Sequence, residues 1–160
     1  MPNNLYVLNH PLKGNFLKLL RDKGSAPDVF RAQAKRLGHF LAIEATQDLA
    51  VKAQGFETPI CETQENIVSE NIALVPILRA GIGLVEPFLD FMPQAQVHFL
   101  GMYRDEDTHD PVSYYNKLPA QHNIDVAYVL DPMLATGGSA IMTIEAIKEW
   151  GVSKLSLIHI

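Results

Sequence analysis

Residues 124–147 read IDVAYVLDPMLATGGSAIMTIEAI. An apolar run ends at Asp131, a turn rich in Thr, Gly and Ser follows, and an amphipathic stretch begins. A strand that leads through such a turn into a helix gathers backbone N–H groups, two hydroxyls and a helix N-terminus around one concavity. Those groups suit a phosphate monoester. The positions concerned are Asp131, Pro132, Met133, Leu134, Ala135, Thr136, Gly137, Gly138 and Ser139. Glycines let backbone approach a ligand closely. Thr136 and Ser139 add hydroxyl donors, and the helix dipole favours negative charge. Asp131, at the strand end, is placed to accept hydrogen bonds from sugar hydroxyls on the same ligand. The implied ligand is a phosphorylated ribose. The plainer alternative is a strand-to-helix connection whose glycines only permit the turn.

A second candidate is VPILRAGIG at 75–83. Arg79 falls at the carboxyl end of an apolar run, beside a glycine-containing turn. A guanidinium there matches phosphate oxygens in a fork and would act as a pyrophosphate clamp. The plainer reading is a surface arginine. A third candidate is Arg104, at the mouth of a strand and the start of YRDEDTHDP, 103–111. That charged segment has no apolar periodicity and reads as a mobile loop. Arg104 could neutralise phosphate charge as the loop closes, whereas Asp105, Glu106, Asp107 and Asp110 read as solvated acids.

Other signals are weak. GIGLVE, 81–86, imitates part of a dinucleotide fingerprint, but Glu86 stands where the third glycine belongs. No GxxxxGK[ST] is present. The six histidines show no pair at metal-ligand spacing, so no protein metal ligands are assigned. Cys61 has no local catalytic signature and reads as a small buried hydrophobe.

These residues need elements to hold them. Residues 5–8 could be a short strand or a docked arm, and 12–22 a short helix. Ser25 and Asp28 have capping-box spacing, with Pro27 tolerated in a first turn. A long helix follows, carrying Phe30, Ala34, Leu37, Leu41 and Ala45 at three- and four-residue steps. One strand is expected around 56–61. Residues 71–78 read as a buried strand, although Pro76 argues for an edge or a strand end. A helix is expected from Ile82 to Phe91, closed by Pro93, and strands at 95–102, 112–119, 124–130 and 154–160. A helix spans 139–150 and closes at Gly151. Strands alternating with helices predict an α/β fold, a mainly parallel sheet with helices on both faces. Ligands in such sheets gather beyond the carboxyl ends of the strands.

Bulk properties narrow the partners. A chain of 160 residues favours one domain, 1–160, with a core that needs no staples. A net charge of −5 argues against a nucleic-acid binder, which usually carries a basic stripe. No apolar run approaches the ~20 residues of a membrane span. A single cysteine allows no intrachain disulfide, and no signal peptide is apparent, so a cytoplasmic location is the simplest reading.

Five strings together carry a resemblance: NHPL at 9–12, LVPILRAGIG at 74–83, GMYRDE at 101–106, YYNKLP at 114–119 and VLDPMLATGGSA at 129–140. In this order they resemble the uracil phosphoribosyltransferases, within the type I phosphoribosyltransferases. Many phosphoribosyltransferases place two adjacent acids before the loop, whereas the uracil branch has Asp-Pro, as in Asp131-Pro132. The resemblance implies the type I fold and the reaction of uracil with phosphoribosyl pyrophosphate to give UMP and pyrophosphate. It implies that Asp131 to Ser139 hold the 5-phosphate and ribose, and that Arg79 and Arg104 contact the pyrophosphate. Arg79, Arg104 and Asp131 are then the catalytic residues. It further implies Mg2+ riding on substrate oxygens, a homo-oligomer, most simply a dimer, and GTP as an activator in some members. The family continues for roughly fifty more residues, domain sizes being variable, and that region carries the uracil pocket. A truncated chain is therefore expected, lacking the C-terminal base-binding part. The alternative function is a catalytically inactive fragment or a regulatory module that binds phosphoribosyl pyrophosphate. The closing apolar strand, 154–160, is expected to need neighbours on both sides.

Overall fold

Two apolar strands, β3 (Ile72–Leu78) and β7 (Val126–Leu130), form the centre of the molecule. In this computed structural model, which describes residues 4–104 and 111–160, both are buried on both faces. They lie parallel, with Ile72 opposite Val126 and Pro76 opposite Leu130. β5 (Leu100–Arg104) flanks β3 in parallel, and β8 (Lys154–Ile158) flanks β7 in parallel. β6 (Pro111–Asn116) pairs antiparallel with β5, giving the order β6-β5-β3-β7-β8. The short β4 (Gln96–Val97) pairs with β3 ahead of β5.

Helices cover both faces, as predicted. Alternate residues of a strand point to opposite faces. Ala73, Val75, Ile77, Ala127 and Val129 therefore pack with Ala140 and Ile147 of α4 (Gly138–Trp150). Leu74, Val126, Tyr128 and Leu130 pack on the other face with Ala42 of α2 (Pro27–Ala45) and Leu84 and Phe88 of α3 (Ile82–Leu89). α1 (Lys13–Arg21) packs outside α2 and buries no residue fully.

Pro76 lies in an interior strand, against expectation. The Leu74 carbonyl accepts from His98 N at 2.9 Å. Residue 76, two places on, faces the same neighbour. That neighbour is interrupted between Val97 and Leu100, so the missing proline N–H falls opposite a gap. The strand expected at 95–102 is broken at the same point, into β4 and β5.

Several local expectations fail. The region expected to hold one strand at 56–61 is a hairpin, β1 (Val51–Glu57) with β2 (Glu62–Val68), and 58–61 is its turn. Thr58 closes the turn: its N–H and its hydroxyl donate to the Cys61 carbonyl, at 3.0 and 2.8 Å. Cys61 is consequently exposed rather than buried. Ser25 does not cap α2; Ala26 occupies the cap, and the Ser25 hydroxyl donates back to the Leu19 carbonyl at 2.6 Å. Phe30 is exposed while Leu37 and Ala42 carry the burial of α2. Residues 5–8 form no strand, and Leu5, Tyr6 and Val7 are exposed. The closing strand is a different case: β8 has one sheet neighbour, β7, among the described residues, so its other edge is unpaired there. Lys154, at its start, pairs with Glu70 at 3.4 Å and Asp48 at 3.6 Å.

Candidate active site

β3 and β7 are adjacent and parallel, so their carboxyl ends emerge side by side. Arg79 follows β3 and Asp131 follows β7. Between them opens a cleft of about 240 Å³, lined by Ile77–Ala80, Asp131 and Met133–Ala140. Two segments about fifty residues apart thus form one site, as parallel-sheet topology requires.

The loop after β7 is held by backbone bonds. Asp131 N donates to the Ile158 carbonyl at 3.0 Å, and Ala135 N to the Met133 carbonyl at 3.0 Å. Gly137 is the N-cap of α4 in the left-handed conformation, φ 81° and ψ −2°. It offers no capping side chain, and Ile141 N donates to its carbonyl at 2.9 Å. The N–H groups of the first helical turn have no intrahelical acceptor. The residues of that turn, Gly138, Ser139 and Ala140, line the cleft. Amides, hydroxyl and dipole there favour an anion.

Arg79 is exposed, and no described carboxylate pairs with its guanidinium. Among the described residues lining the cleft it is the one cation, and Asp131 the one carboxylate. Asp131 Oδ1 accepts from Met133 N at 3.3 Å. Burial pushes the Asp131 carboxyl above its ordinary range, and the Met133 N–H and the nearby His159 offset part of that. The Leu78–Arg79 peptide is cis.

Most residues expected at the site are brought together: Arg79, Asp131 and Met133 through Ser139. Pro132 does not line the cleft; its carbonyl accepts from Ile160 N at 3.3 Å. Arg104 ends β5, the strand beside β3. Its side chain and residues 105–110, most of the loop expected to close, lie outside the described residues. Ile77, Leu78, Ala80 and Ala140 also line the cleft and were not anticipated. Their signal is positional, since they flank the strand end and the helix start. Glu86, which interrupts the dinucleotide pattern, sits on α3 and pairs with Lys35 at 3.0 Å. Among the described residues no three His, Cys, Asp or Glu cluster to cage a metal, and no helix is long and apolar enough to cross a membrane.

A helix-flanked parallel sheet, with a glycine-rich strand-to-helix loop and an exposed arginine side by side at its carboxyl ends, is the architecture of the type I phosphoribosyltransferases. Solved structures share that architecture. A purine phosphoribosyltransferase from Pyrococcus horikoshii superposes with a TM-score of 0.56 at 12% identity, over 79% of this chain and 70% of that one. At that identity the likeness concerns the fold alone. The AQ2163 protein from Aquifex aeolicus is nearer, with a TM-score of 0.88 and 34% identity over 96% of this chain and 74% of that one. The family profile described as uracil phosphoribosyltransferase matches residues 7–160. A uracil phosphoribosyltransferase from Roseiflexus castenholzii is 46% identical over 154 residues, 96% of this chain and 74% of that protein. Another, from Limosilactobacillus reuteri, is 43% identical over 152 residues, 94% of this chain and 72% of that protein. The chain belongs to the uracil phosphoribosyltransferase family.

Proposed function

We propose that the chain transfers the ribosyl phosphate of phosphoribosyl pyrophosphate to uracil, giving UMP and pyrophosphate. One observation carries the assignment of the site: Arg79, Asp131 and Met133 through Ser139 line the same cleft at the head of α4. The amides and hydroxyls of Thr136 through Ser139 hold the 5-phosphate. Asp131 accepts from the ribose hydroxyls. Arg79, with Arg104 from the neighbouring strand, holds the pyrophosphate.

The bond from ribose C1 to the pyrophosphate oxygen breaks, a bond from C1 to uracil N1 forms, and the proton on N1 leaves to the departing pyrophosphate or to water. Negative charge grows on the departing group and positive charge on the ribose ring. Arg79 stabilises the first and the Asp131 carboxylate the second, so catalysis is electrostatic and needs no covalent nucleophile. The donor set fits Mg2+ carried on substrate: among the described residues a single carboxylate, Asp131, lines the cleft, and an ion of this kind keeps waters and phosphate oxygens as its main ligands. When bound, Mg2+ would neutralise pyrophosphate charge.

Residues 1–160 form, on this reading, one phosphoribosyltransferase domain that supplies the phosphoribosyl half of the site. A dimer is the simplest assembly. Its support is the β1–β2 hairpin, a two-stranded sheet with every residue exposed. Such a hairpin is marginal without further packing. Sedimentation tests that point. GTP activation and a cytoplasmic setting rest on the resemblance and on cysteine usage, and turnover with and without GTP tests the first.

The central experiment is calorimetry with ribose 5-phosphate and with phosphoribosyl pyrophosphate plus Mg2+, followed by uracil, hypoxanthine and xanthine tested for nucleotide formation. Arg79→Ala should weaken phosphoribosyl pyrophosphate by roughly ten- to a hundredfold, the range for hydrogen bonds to charged groups. Ribose 5-phosphate should bind as before. Equal losses for both ligands would remove the clamp role.

A further inference from the structure

The turn that carries Arg79 ends at Gly81, which is buried. Its backbone is ordinary, with φ −58° and ψ −23°, so conformation alone does not demand glycine. Space does. A Cβ at Gly81 would overlap the carbonyl oxygen of Leu130 and lie 2.7 and 2.8 Å from the backbone N and O of Ile77. All three are backbone atoms of buried strand residues, which cannot swing aside as a side chain tip could. Leu130 is the last residue of β7 and immediately precedes Asp131. Gly81 N also donates to the Ile77 carbonyl at 2.9 Å, tying the turn back on itself. The glycine therefore lets the turn after β3 rest directly on the end of β7. The spacing between Arg79 and the Asp131–Ser139 loop is set at that contact.

Gly83 makes the contrast. A Cβ there meets nothing within 4 Å. The two glycines of the GIG segment thus have different reasons to exist, and only the first is a spacer between the two arms of the cleft.

We propose that Gly81 is a positioning residue that determines specificity: its missing side chain seats the arginine turn against β7, so that one ligand bearing both a 5-phosphate and a pyrophosphate can reach both arms. This rests on the phosphoribosyl pyrophosphate reading above. A wider turn leaves the 5-phosphate loop intact and moves Arg79 out of reach of the pyrophosphate. Gly81 touches no substrate itself and acts through Arg79.

The test compares ribose 5-phosphate and phosphoribosyl pyrophosphate by calorimetry for the wild-type chain, Gly81→Ala, Gly83→Ala and Ala80→Gly. Gly81→Ala should lose phosphoribosyl pyrophosphate affinity by roughly ten- to a hundredfold, the worth of a charged hydrogen bond. Its ribose 5-phosphate affinity should stay within about twofold, the usual scatter of independent sites. Gly83→Ala should match the wild type for both ligands. Adding Arg79→Ala to Gly81→Ala should cost little more than either change alone, a non-additivity that a merely structural defect does not produce. Should Gly81→Ala fail to fold, Ala80→Gly decides. It frees the same turn without adding bulk and should weaken phosphoribosyl pyrophosphate alone, by roughly threefold. An unchanged ratio of the two affinities in the folded variants would overturn the inference while leaving the functional reading standing. Failure of the wild-type chain to bind ribose 5-phosphate would overturn both.

Discussion

Gly137 offers the sharpest separation of folding from binding. It caps α4 at φ 81°, a region that costs an L side chain about 1–2 kcal/mol. Its surroundings are roomy: an added Cβ would meet only Leu134 Cδ1, at 3.9 Å. Gly137→Ala should therefore lose stability through conformation and not through collision. For a chain of this size the loss corresponds to a drop in Tm of about 2–8 °C. Gly137→Val adds branched bulk where, on the proposed function, the ligand meets backbone. Either the side chain shields the helix amides, or the residue leaves the left-handed region and turns the following N–H away. Losing one amide bond to a charged phosphate costs about 1.5–3 kcal/mol, roughly ten- to a hundredfold in Kd. Gly151 supplies the control. It closes the other end of α4 at φ 107°, with His122 Nε2 at 3.5 Å from an added Cβ, and lies outside the cleft. Gly151→Ala should lose comparable stability and keep ribose 5-phosphate affinity. The assay is thermal melting paired with calorimetry at a temperature where every variant is folded. Undiminished ribose 5-phosphate affinity in Gly137→Val would refute the loop assignment, whatever its Tm.

Three further outcomes follow from the same structure. Burial raises the Asp131 carboxyl above its unfolded value, so the folded chain holds that proton more tightly and ionisation at neutral pH opposes folding. The opposition fades as pH falls through the raised pKa toward the ordinary carboxylate range. Asp131→Asn should accordingly melt no lower than the wild type at pH 7 while losing ribose binding, and a lower Tm at pH 7 that recovers in acid would contradict the sign. Gly38 on α2 sits against Pro87 on α3, where an added Cβ would lie 2.8 and 2.9 Å from the proline ring. Overpacking costs about 1–3 kcal/mol and alanine returns about 1 kcal/mol of helix propensity, so Gly38→Ala should show no gain in urea unfolding and a loss of up to about 2 kcal/mol. The buried Tyr128 hydroxyl donates to the Ala45 carbonyl at 3.1 Å, so Tyr128→Phe should cost about 1 kcal/mol in the same assay and leave ligand affinity unaltered.

The loop at 131–139 was legible because every element of it is local. An apolar run, an acid, two glycines and an amphipathic stretch stand in one continuous segment, and each dictates its own backbone. The sides of the sheet were legible for a similar reason: strands alternating with helices leave a parallel sheet little choice but to be covered on both faces. The hairpin at 51–68 was not legible, because every residue of its two strands is exposed and no buried face imposes an alternation on the sequence. Pro76 misled because its tolerance depends on a gap in a neighbouring strand more than twenty residues away. The cleft itself belongs to tertiary structure. Nothing in LRAG says that it will lie against the end of β7. That follows from the register that sets Pro76 beside Leu130, and from a backbone contact too close for any side chain at Gly81. Local sequence chose the chemical groups, and packing between distant strands chose the distance between them in the cleft.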